Sequence, residues 1–326
     1  MLCLPKKSRN SNKTWCTNTA RTVTASKAPL PLPPTPTLGT KTPRAMLLNQ
    51  EQRAAVESPG DQPLLLCAGP GSGKTRVLTS RVVWLLRNPH NHVNHVCCLS
   101  FSKAACTTFQ QRLATMLAPL ELSRVKICTF HSLCLRLCRK NPDLLGIDGL
   151  QPNDTFHLCN TSEQYDYIKD VLEALKIKPG QGPSPSDILT QINQAKATSQ
   201  SPEDYDDQPL FQQIFTLFNR KMLDNTSLSF LDIVVSTVHL FRTHPRVLQQ
   251  FQQQYTHLTC DEFQDTSRLQ FSLLTLLGSH RRVTVVGDDQ QSIFKFAGSD
   301  VANFDYFVAH FYEQCIELKL EMNYRR

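Results

Sequence analysis

Short, mostly apolar runs recur along the chain, and each ends at a glycine-containing or polar stretch. Strands that are buried on both faces of a parallel sheet read as continuous apolar runs rather than as alternating ones. Segments with a helical spacing of apolar residues separate these runs. The pattern therefore predicts an α/β fold with a parallel sheet. Its strands are expected at residues 64–67, 96–99, 125–128, 258–260 and 283–286.

The middle of the chain shows a different pattern. Between residues 133 and 225 the apolar residues keep a helical spacing, and no strand-like run interrupts them. We therefore predict an all-helical insertion at 133–225. It divides the α/β domain into a first part at 46–132 and a second part at 226–326. The helices of the insertion are expected at 163–175, 185–197 and 209–223.

The first 45 residues have the composition of a tail. They carry eight Lys or Arg, no Asp or Glu, and a proline-rich stretch at 29–36. Such a segment cannot bury a core, so we predict that 1–45 is disordered. It would also suit an organellar transit peptide or a nuclear basic arm, and these two readings remain open. We therefore expect an intracellular protein of the nucleus or of an organelle.

The net charge of +7 resides in this tail, and the rest of the chain is close to neutral. A site for nucleic acid would therefore depend on a local surface and on base stacking rather than on bulk charge. The twelve cysteines include no Cys-x-x-Cys pair, which indicates buried free thiols in a reducing setting. No apolar run approaches the length of a membrane span, so we expect no contact with a membrane.

A glycine-rich stretch follows the first predicted strand and precedes a helix-like segment. Glycines allow a tight turn whose N–H groups point at phosphate oxygens, a lysine adds positive charge at the β/γ oxygens, and a hydroxyl reaches Mg²⁺. The strict pattern has Gly where this chain has Ala68, which costs little backbone freedom. We therefore predict a site for ATP and Mg²⁺, with Lys74 and Thr75 in these two roles. The loop comprises Ala68, Gly69, Pro70, Gly71, Ser72, Gly73, Lys74 and Thr75.

An acidic pair follows the fourth predicted strand. Asp261 can hold Mg²⁺ through water, and Glu262 can orient or deprotonate the hydrolytic water. An acidic pair alone is usually solvated surface. Together with the phosphate loop it predicts an ATPase.

These stretches, with others in the same order, resemble the UvrD/Rep-like superfamily 1 DNA helicases. The resemblance covers residues 46–326. It implies a RecA-like P-loop NTPase domain in which the functional residues gather at the carboxyl edge of the sheet. The insertion would then correspond to the family's helical subdomain 1B. Stretches similar to motifs Q, I, Ia, Ib, II, III and IV lie at 48–53, 68–75, 99–105, 129–133, 261–266, 286–294 and 320–325.

The resemblance assigns further roles at the nucleotide. Gln52 would contact the adenine edge, and Arg76 would lie near the base or the phosphates. Gln291 would sense the γ-phosphate, and Arg325 would place positive charge on the phosphoryl group in the transition state. The expected catalytic residues are Glu262, Asp261, Lys74, Gln291 and Arg325.

The resemblance also implies single-stranded DNA or single-strand/duplex junctions as partners. Aromatic faces on which bases could stack are worth ~1–3 kcal/mol per base. Ala297 stands where the family usually has Arg, which removes one expected charged contact. The expected stacking residues are Phe101, Phe130, His131, Phe294 and Phe296.

The expected function is therefore that of the ATP-binding part of a 3′–5′ DNA helicase. No stretch corresponds to the family's second RecA-like domain, so we expect a fragment whose own hydrolysis is slow. An alternative is a non-unwinding module that binds nucleotide and DNA and acts as a regulator. A helicase–nuclease subunit is a third reading, which would require a carboxylate-rich nuclease domain.

Overall fold

The structure is a computed structural model that describes residues 48–145, 156–178, 180, 182–198, 200–288, 302–312 and 314–324. The predicted tail and the candidate residues Gln291, Phe294, Phe296 and Arg325 lie outside the described residues. The strands are β1 Leu64–Ala68, β2 Val96–Ser100, β3 Val125–Thr129, β4 His157–Leu158, β5 Ser227–Leu228, β6 His257–Cys260, β7 Val283–Gly287 and β8 Ile316–Leu320.

Six of these strands form one parallel sheet in the order β3-β2-β6-β7-β1-β8. The five predicted strands are confirmed as β1, β2, β3, β6 and β7. The sixth strand, β8, was not predicted. Its side chains alternate along Ile-Glu-Leu-Lys-Leu, and Glu317 and Lys319 are exposed, as expected of a strand at the edge of a sheet.

Helices cover both faces of the sheet. They are α1 Gln50–Glu57, α2 Lys74–Arg87, α3 Lys103–Met116, α4 Pro119–Leu122, α5 Phe130–Lys140, α6 Thr161–Ala174, α7 Pro185–Ala197, α8 Pro209–Asp224, α9 Phe230–Thr243, α10 Pro245–Gln254, α11 Arg268–Leu277 and α12 Ala302–His310. Because side chains alternate along a strand, Leu65 and Leu66 point into different cores. Leu65 packs in the core that contains Phe241 and Phe307, and Leu66 packs in the core that contains Val82. This α/β architecture with a parallel sheet confirms the predicted fold class.

The insertion has a third core of its own. Helices α6, α7 and α8 meet around Ile168, Ile192 and Phe215, which are almost fully buried. The three predicted helices therefore form within one or two residues of their expected bounds. Helix α5 crosses the predicted boundary at residue 133 and packs on the sheet, since Leu133 belongs to the core with Leu65.

A buried ion pair joins the insertion to the α/β domain. Lys196 Nζ on α7 lies 2.6 Å from Asp232 Oδ1 on α9. The other oxygen, Asp232 Oδ2, accepts hydrogen bonds from the backbone N–H and the hydroxyl of Ser229. The ammonium group also lies 5.1 Å from the centre of the Phe218 ring. The buried charge of Lys196 is therefore paired with a carboxylate and lies next to an aromatic ring.

Two other predictions concern the chain as a whole. The cysteines in the described ranges are free thiols, and most of them are buried. No described helix has the length and apolar character needed to cross a bilayer.

Candidate active site

The phosphate loop joins β1 to α2 at the carboxyl edge of the sheet. Gly71 and Gly73 have φ values of 77° and 90°, in the left-handed region that favours glycine. A side chain at Gly73 would also approach Gln52 Nε2 to 3.0 Å. The hydroxyl of the buried Ser72 donates to the Gly69 carbonyl at 2.7 Å and braces the loop. The loop leads into the first turn of a 14-residue helix, and the N–H groups at the start of a helix can bind an anion.

Lys74 lies between two carboxylates. Its Nζ is 3.9 Å from Glu262 Oε2 and 3.9 Å from Asp288 Oδ2. Glu262 follows β6 and Asp288 follows β7, so the parallel sheet brings both side chains to the loop after β1. This arrangement joins the predicted phosphate loop and the predicted acidic pair in one site. Sequence reasoning gave no role to Asp288, although it is next to Gly287 in the motif III stretch.

The acidic pair is shaped by its backbone. Glu262 has a φ of 51°, and its N–H donates to Asp261 Oδ1 at 3.0 Å. Burial raises the pKa of Asp261 to about 6, and the neighbouring Glu262 charge acts in the same direction. The two carboxylates also differ in their exposure to solvent. Asp261 is 8% exposed, whereas the Glu262 side chain is 37% exposed.

Gln264 links the two acidic segments. Its Nε2 donates to Glu262 Oε2 at 2.7 Å, and its Oε1 accepts from the Asp288 backbone N–H at 2.9 Å. A side chain at Gly287 would collide with Gln264 Oε1 at 2.7 Å, so glycine is required there. Gln264 therefore fixes the Glu262 carboxylate, a role that its position in the motif did not reveal.

A cleft of about 430 Å³ opens in front of the phosphate loop. It contains the predicted residues Lys74, Thr75, Arg76 and Glu262, together with two that sequence reasoning did not place there, Arg112 and Tyr324. Arg112 comes from the middle of α3, and only the packing of that helix brings it to the cleft. The cleft is lined by Pro70, Gly71, Gly73, Lys74, Thr75, Arg76, Arg112, Glu262 and Tyr324.

Tyr324 forms one wall of the cleft. Its backbone N–H donates to the Gly71 carbonyl at 2.9 Å, and its hydroxyl accepts from Asn49 Nδ2 at 2.7 Å. Half of the tyrosine surface stays exposed, at 53%. The segment after β8 therefore ties the phosphate loop to the start of α1 and presents an aromatic ring to the cleft.

Comparison of the sequence with known proteins shows the family of the chain. Residues 48–312 match the family described as the UvrD/REP helicase N-terminal domain. The chain belongs to the UvrD/REP helicase family. It is 35% identical over 286 residues to the ATP-dependent DNA helicase PcrA of Bacillus subtilis, which is 85% of this chain and 37% of that protein. It is 31% identical over 285 residues to PcrA of Staphylococcus aureus, 85% of this chain and 38% of the relative. The chain thus spans little more than a third of these relatives.

The donor set of this UvrD/REP domain fits Mg²⁺. The carboxylates of Glu262 and Asp288 lie 3.9 Å from the Lys74 ammonium group, Asp261 precedes Glu262 in the chain, and hard oxygen ligands suit this ion. Among the described residues no group of three or more His, Cys, Asp and Glu side chains could hold a metal by itself. The site therefore fits an ion bound largely through water and phosphate oxygens, and the assignment of Thr75 and Asp261 to this ion stays a prediction.

Gln52 lies beside the phosphate loop but does not face the cleft. It is 1% exposed, its Nε2 donates to the Ser72 carbonyl at 2.9 Å, and its Oε1 accepts from the Asn49 N–H at 3.2 Å. Contact with an adenine edge would require one of these bonds to be exchanged. The assignment of Gln52 to adenine stays a prediction.

The predicted stacking residues differ in exposure. Phe101 follows β2 and is 39% exposed, whereas Phe130 is 2% exposed and packs in the core with Leu65. Because side chains enclose the Phe130 ring, stacking on a base would require the ring to leave the core, and the assignment of Phe130 to DNA stays a prediction. In the core, the ring anchors the start of α5.

His131 does have an aromatic neighbour at the surface. Its ring meets that of Phe230 edge to face, with 5.8 Å between the centroids, and Phe230 is 58% exposed. Burial lowers the pKa of His131 and favours the neutral ring. Phe230 was missed because it lies in the first turn of α9, far from His131 in sequence.

Proposed function

We propose that this UvrD/REP-family chain binds Mg²⁺·ATP in the cleft and hydrolyses it in response to single-stranded DNA. The observation that carries the proposal is the position of Lys74, held between Glu262 and Asp288 at the mouth of the phosphate loop. Lysine at this point neutralises carboxylates that would otherwise repel a triphosphate, and it can move to the phosphate oxygens when they arrive.

The chain's own residues supply the remaining parts. The N–H groups of the loop and the hydroxyl of Thr75 would hold the phosphates and Mg²⁺. Glu262, held by Gln264, would orient the attacking water, and Arg112 would add positive charge from α3. The exposed Tyr324 ring offers a face on which the base can stack.

The proposed DNA surface lies at the same edge of the sheet. Phe101 and His131 follow β2 and β3 at that edge, and the exposed ring of Phe230 on α9 contacts His131 there. Stacking on such rings is indifferent to sequence, which suits single-stranded DNA or a junction. The relatives that match this chain are named ATP-dependent DNA helicases. We propose the same reaction class here, with 3′ to 5′ movement in the complete protein.

The test is ATP hydrolysis by the 326-residue chain, with Mg²⁺, in the presence and absence of an oligothymidylate. Glu262→Gln removes the base but keeps the hydrogen bond from Gln264, so kcat should fall by ~10²–10⁴-fold while ATP affinity is retained. Glu173→Gln is the matched control, because Glu173 is exposed on α6. Lys74→Ala should abolish binding itself.

Two outcomes separate the proposal from its alternative. A DNA-dependent ATPase is supported if oligothymidylate stimulates ATP hydrolysis and the Glu262→Gln substitution abolishes it. Tight ATP binding without turnover in any variant would favour a module that binds nucleotide and DNA without unwinding. Equal ATP affinity of the Lys74→Ala variant and the parent would refute the site itself.

A further inference from the structure

Arg81 is a fully buried arginine on the same helix as Lys74. It is 2% exposed, and its guanidinium makes hydrogen bonds to three parts of the chain. Nε donates to Thr284 Oγ1 on β7 at 2.9 Å. Nη1 and Nη2 donate to the carbonyls of Ala55, Val56, Ser58 and Pro59 at 2.9–3.2 Å.

These carbonyls are the last acceptors of α1 and of the turn that follows it. The final carbonyls of a helix have no partner within the helix, and they carry the negative end of its dipole. In the part of the chain that the structure describes, no carboxylate lies within ion-pair distance of Arg81. The helix end therefore takes the place of a counter-ion. Burial lowers the pKa of Arg81 to about 10, which leaves the group charged at neutral pH.

The other end of α1 belongs to the nucleotide cleft. Asn49 caps the helix by accepting from the Gln52 N–H at 2.7 Å, and its amide donates to the Tyr324 hydroxyl. Gln52 donates to the Ser72 carbonyl of the phosphate loop. An eight-residue helix is thus held by Arg81 at its C-terminal end and by the cleft at its N-terminal end.

Helix α2 connects the two ends of this arrangement. Lys74 and Arg81 are two turns apart on it, roughly 10 Å along the axis. A single rigid element therefore holds the phosphate-binding lysine and the clamp on α1. Thr284 brings in β7, the strand that leads to Asp288.

We propose that Arg81 is a positioning residue for the base end of the nucleotide, because it fixes α1 and with it the surface formed by Asn49 and Tyr324. The inference rests on the proposed function, since it concerns how the same cleft takes a nucleoside triphosphate. Arg81 does not touch the ligand. Loss of the Arg81 side chain should weaken the contacts that the ligand makes with α1 and Tyr324. The contacts of its phosphates with the phosphate loop should remain.

The experiment compares two ligands by titration calorimetry in Mg²⁺, using the 326-residue chain. ATP has a base, and inorganic tripolyphosphate has none. In Arg81→Met, ATP should bind about tenfold more weakly, the equivalent of one lost hydrogen bond to a displaced surface. Tripolyphosphate should bind within about twofold of the parent, because the phosphate loop is retained. Its binding also verifies that the variant is folded.

Two further variants sharpen the comparison. Arg87→Met makes the same change on the same helix, but the Arg87 guanidinium donates to Glu121 and to the Met116 carbonyl, so neither affinity should change. Arg81→Lys keeps the charge without the planar fork of donors and should give an intermediate loss for ATP. If Arg81→Met does not fold, the comparison of the two ligands is made with Arg81→Lys.

The outcomes are distinct. A loss confined to ATP supports the positioning role. A parallel loss for both ligands would mean that Arg81 only stabilises the fold, and an unchanged ATP affinity would also overturn the inference. A parent chain that binds neither ligand would overturn the proposed function first, and the positioning role with it.

Discussion

The backbone of Glu262 adopts a left-handed conformation that costs conformational free energy. A non-glycine residue in the left-handed region costs ~1–3 kcal/mol, and such residues persist where the surrounding structure holds them. Here the hydrogen bond from Gln264 and the Lys74 ion pair hold the carboxylate. Sequence reasoning identified Glu262 and Lys74 from their motifs. It did not identify Gln264, because its contact to Asp288 joins two loops that only the sheet brings together.

Other residues show the same limit. Arg112 and Tyr324 line the cleft, but no local pattern distinguishes a cleft arginine from a surface one. Phe130 was predicted to stack on a base because of its place after a strand, and the structure buries it. A residue that follows a strand can point into the core or out of the sheet edge, and periodicity alone does not decide which.

His257 provides a test at the residue scale. It is buried, its Nε2 lies 2.8 Å from the Gly60 carbonyl, and burial, aided by the Arg282 charge, lowers its pKa to about 3. The unfolded chain takes up a proton near the ordinary value of 6.5. Below that pH the unfolded state binds more protons than the folded state, so stability falls. Each pH unit is worth about 1.4 kcal/mol, which gives a loss of ~2–3 kcal/mol between about pH 6.5 and pH 4.5.

We expect His257→Gln to remove this part of the pH dependence, because glutamine can still donate to Gly60 but does not titrate. The measurement is the free energy of unfolding in urea across this pH range. His239→Gln, at an exposed position of α9, should leave the parent's slope unchanged. An equal slope in His257→Gln and in the parent would contradict the prediction. Burial also lowers the pKa of His131 and of His280, and these two groups should contribute equally to the slope in the parent and in the variant.

At the scale of the elements, the helices and strands that could be predicted are those whose apolar residues follow a clear pattern along the sequence. The apolar runs of β1, β2 and β7 and the amphipathic helices α7 and α8 formed where they were expected. The edge strand β8 escaped prediction because it alternates, and its pairing partner is distant in sequence. The two-residue strands β4 and β5 carry no period at all. Helix α5 was assigned to the insertion, and only its packing shows that it covers the sheet.

The ion pair between α7 and α9 gives a prediction at this scale. Lys196→Met leaves the buried Asp232 carboxylate without its cation, which should cost ~3–5 kcal/mol of unfolding free energy. Adding Asp232→Asn should recover part of this loss, because no charge is then left unpaired. The measurement is a double-mutant cycle by urea denaturation.

Lys221→Met is the matched control for this cycle. Its ion pair with Asp170 lies at the surface of the same insertion, so the cost should be about 0–1 kcal/mol. Similar costs for Lys196→Met and Lys221→Met would show that burial does not govern the pair between α7 and α9.

At the scale of the whole molecule, three cores support different tasks. Two lie on the faces of the sheet and carry the strands that end at the cleft, and the third belongs to α6, α7 and α8. The sequence predicted the layered sheet and the insertion, since each has its own periodicity. The contacts between them depend on buried polar partners such as Lys196 and Asp232, which periodicity does not predict.

Two core substitutions test whether the cores of the sheet and of the insertion support different tasks. Ile192→Ala in the third core and Leu85→Ala on α2 should each cost ~2–5 kcal/mol of stability. Leu85→Ala should also weaken ATP binding, because α2 carries Lys74 and Arg81. Ile192→Ala should leave the ATP dissociation constant within about twofold, as measured by calorimetry under conditions where both variants are folded. A loss of ATP binding in Ile192→Ala would show that the insertion core supports the cleft.

The order of strands in the sheet has a consequence for biosynthesis. Strand β1 lies between β7 and β8, so Leu64 pairs with Thr284 and Ile316. A ribosome that adds ~5–20 residues per second completes these partners roughly ten to fifty seconds after β1. During that delay the apolar segment of β1 has no pairing partner at either edge. The nascent chain can then misassemble or bind chaperones. The cleft also forms late, because Tyr324, which follows β8, is one of its walls.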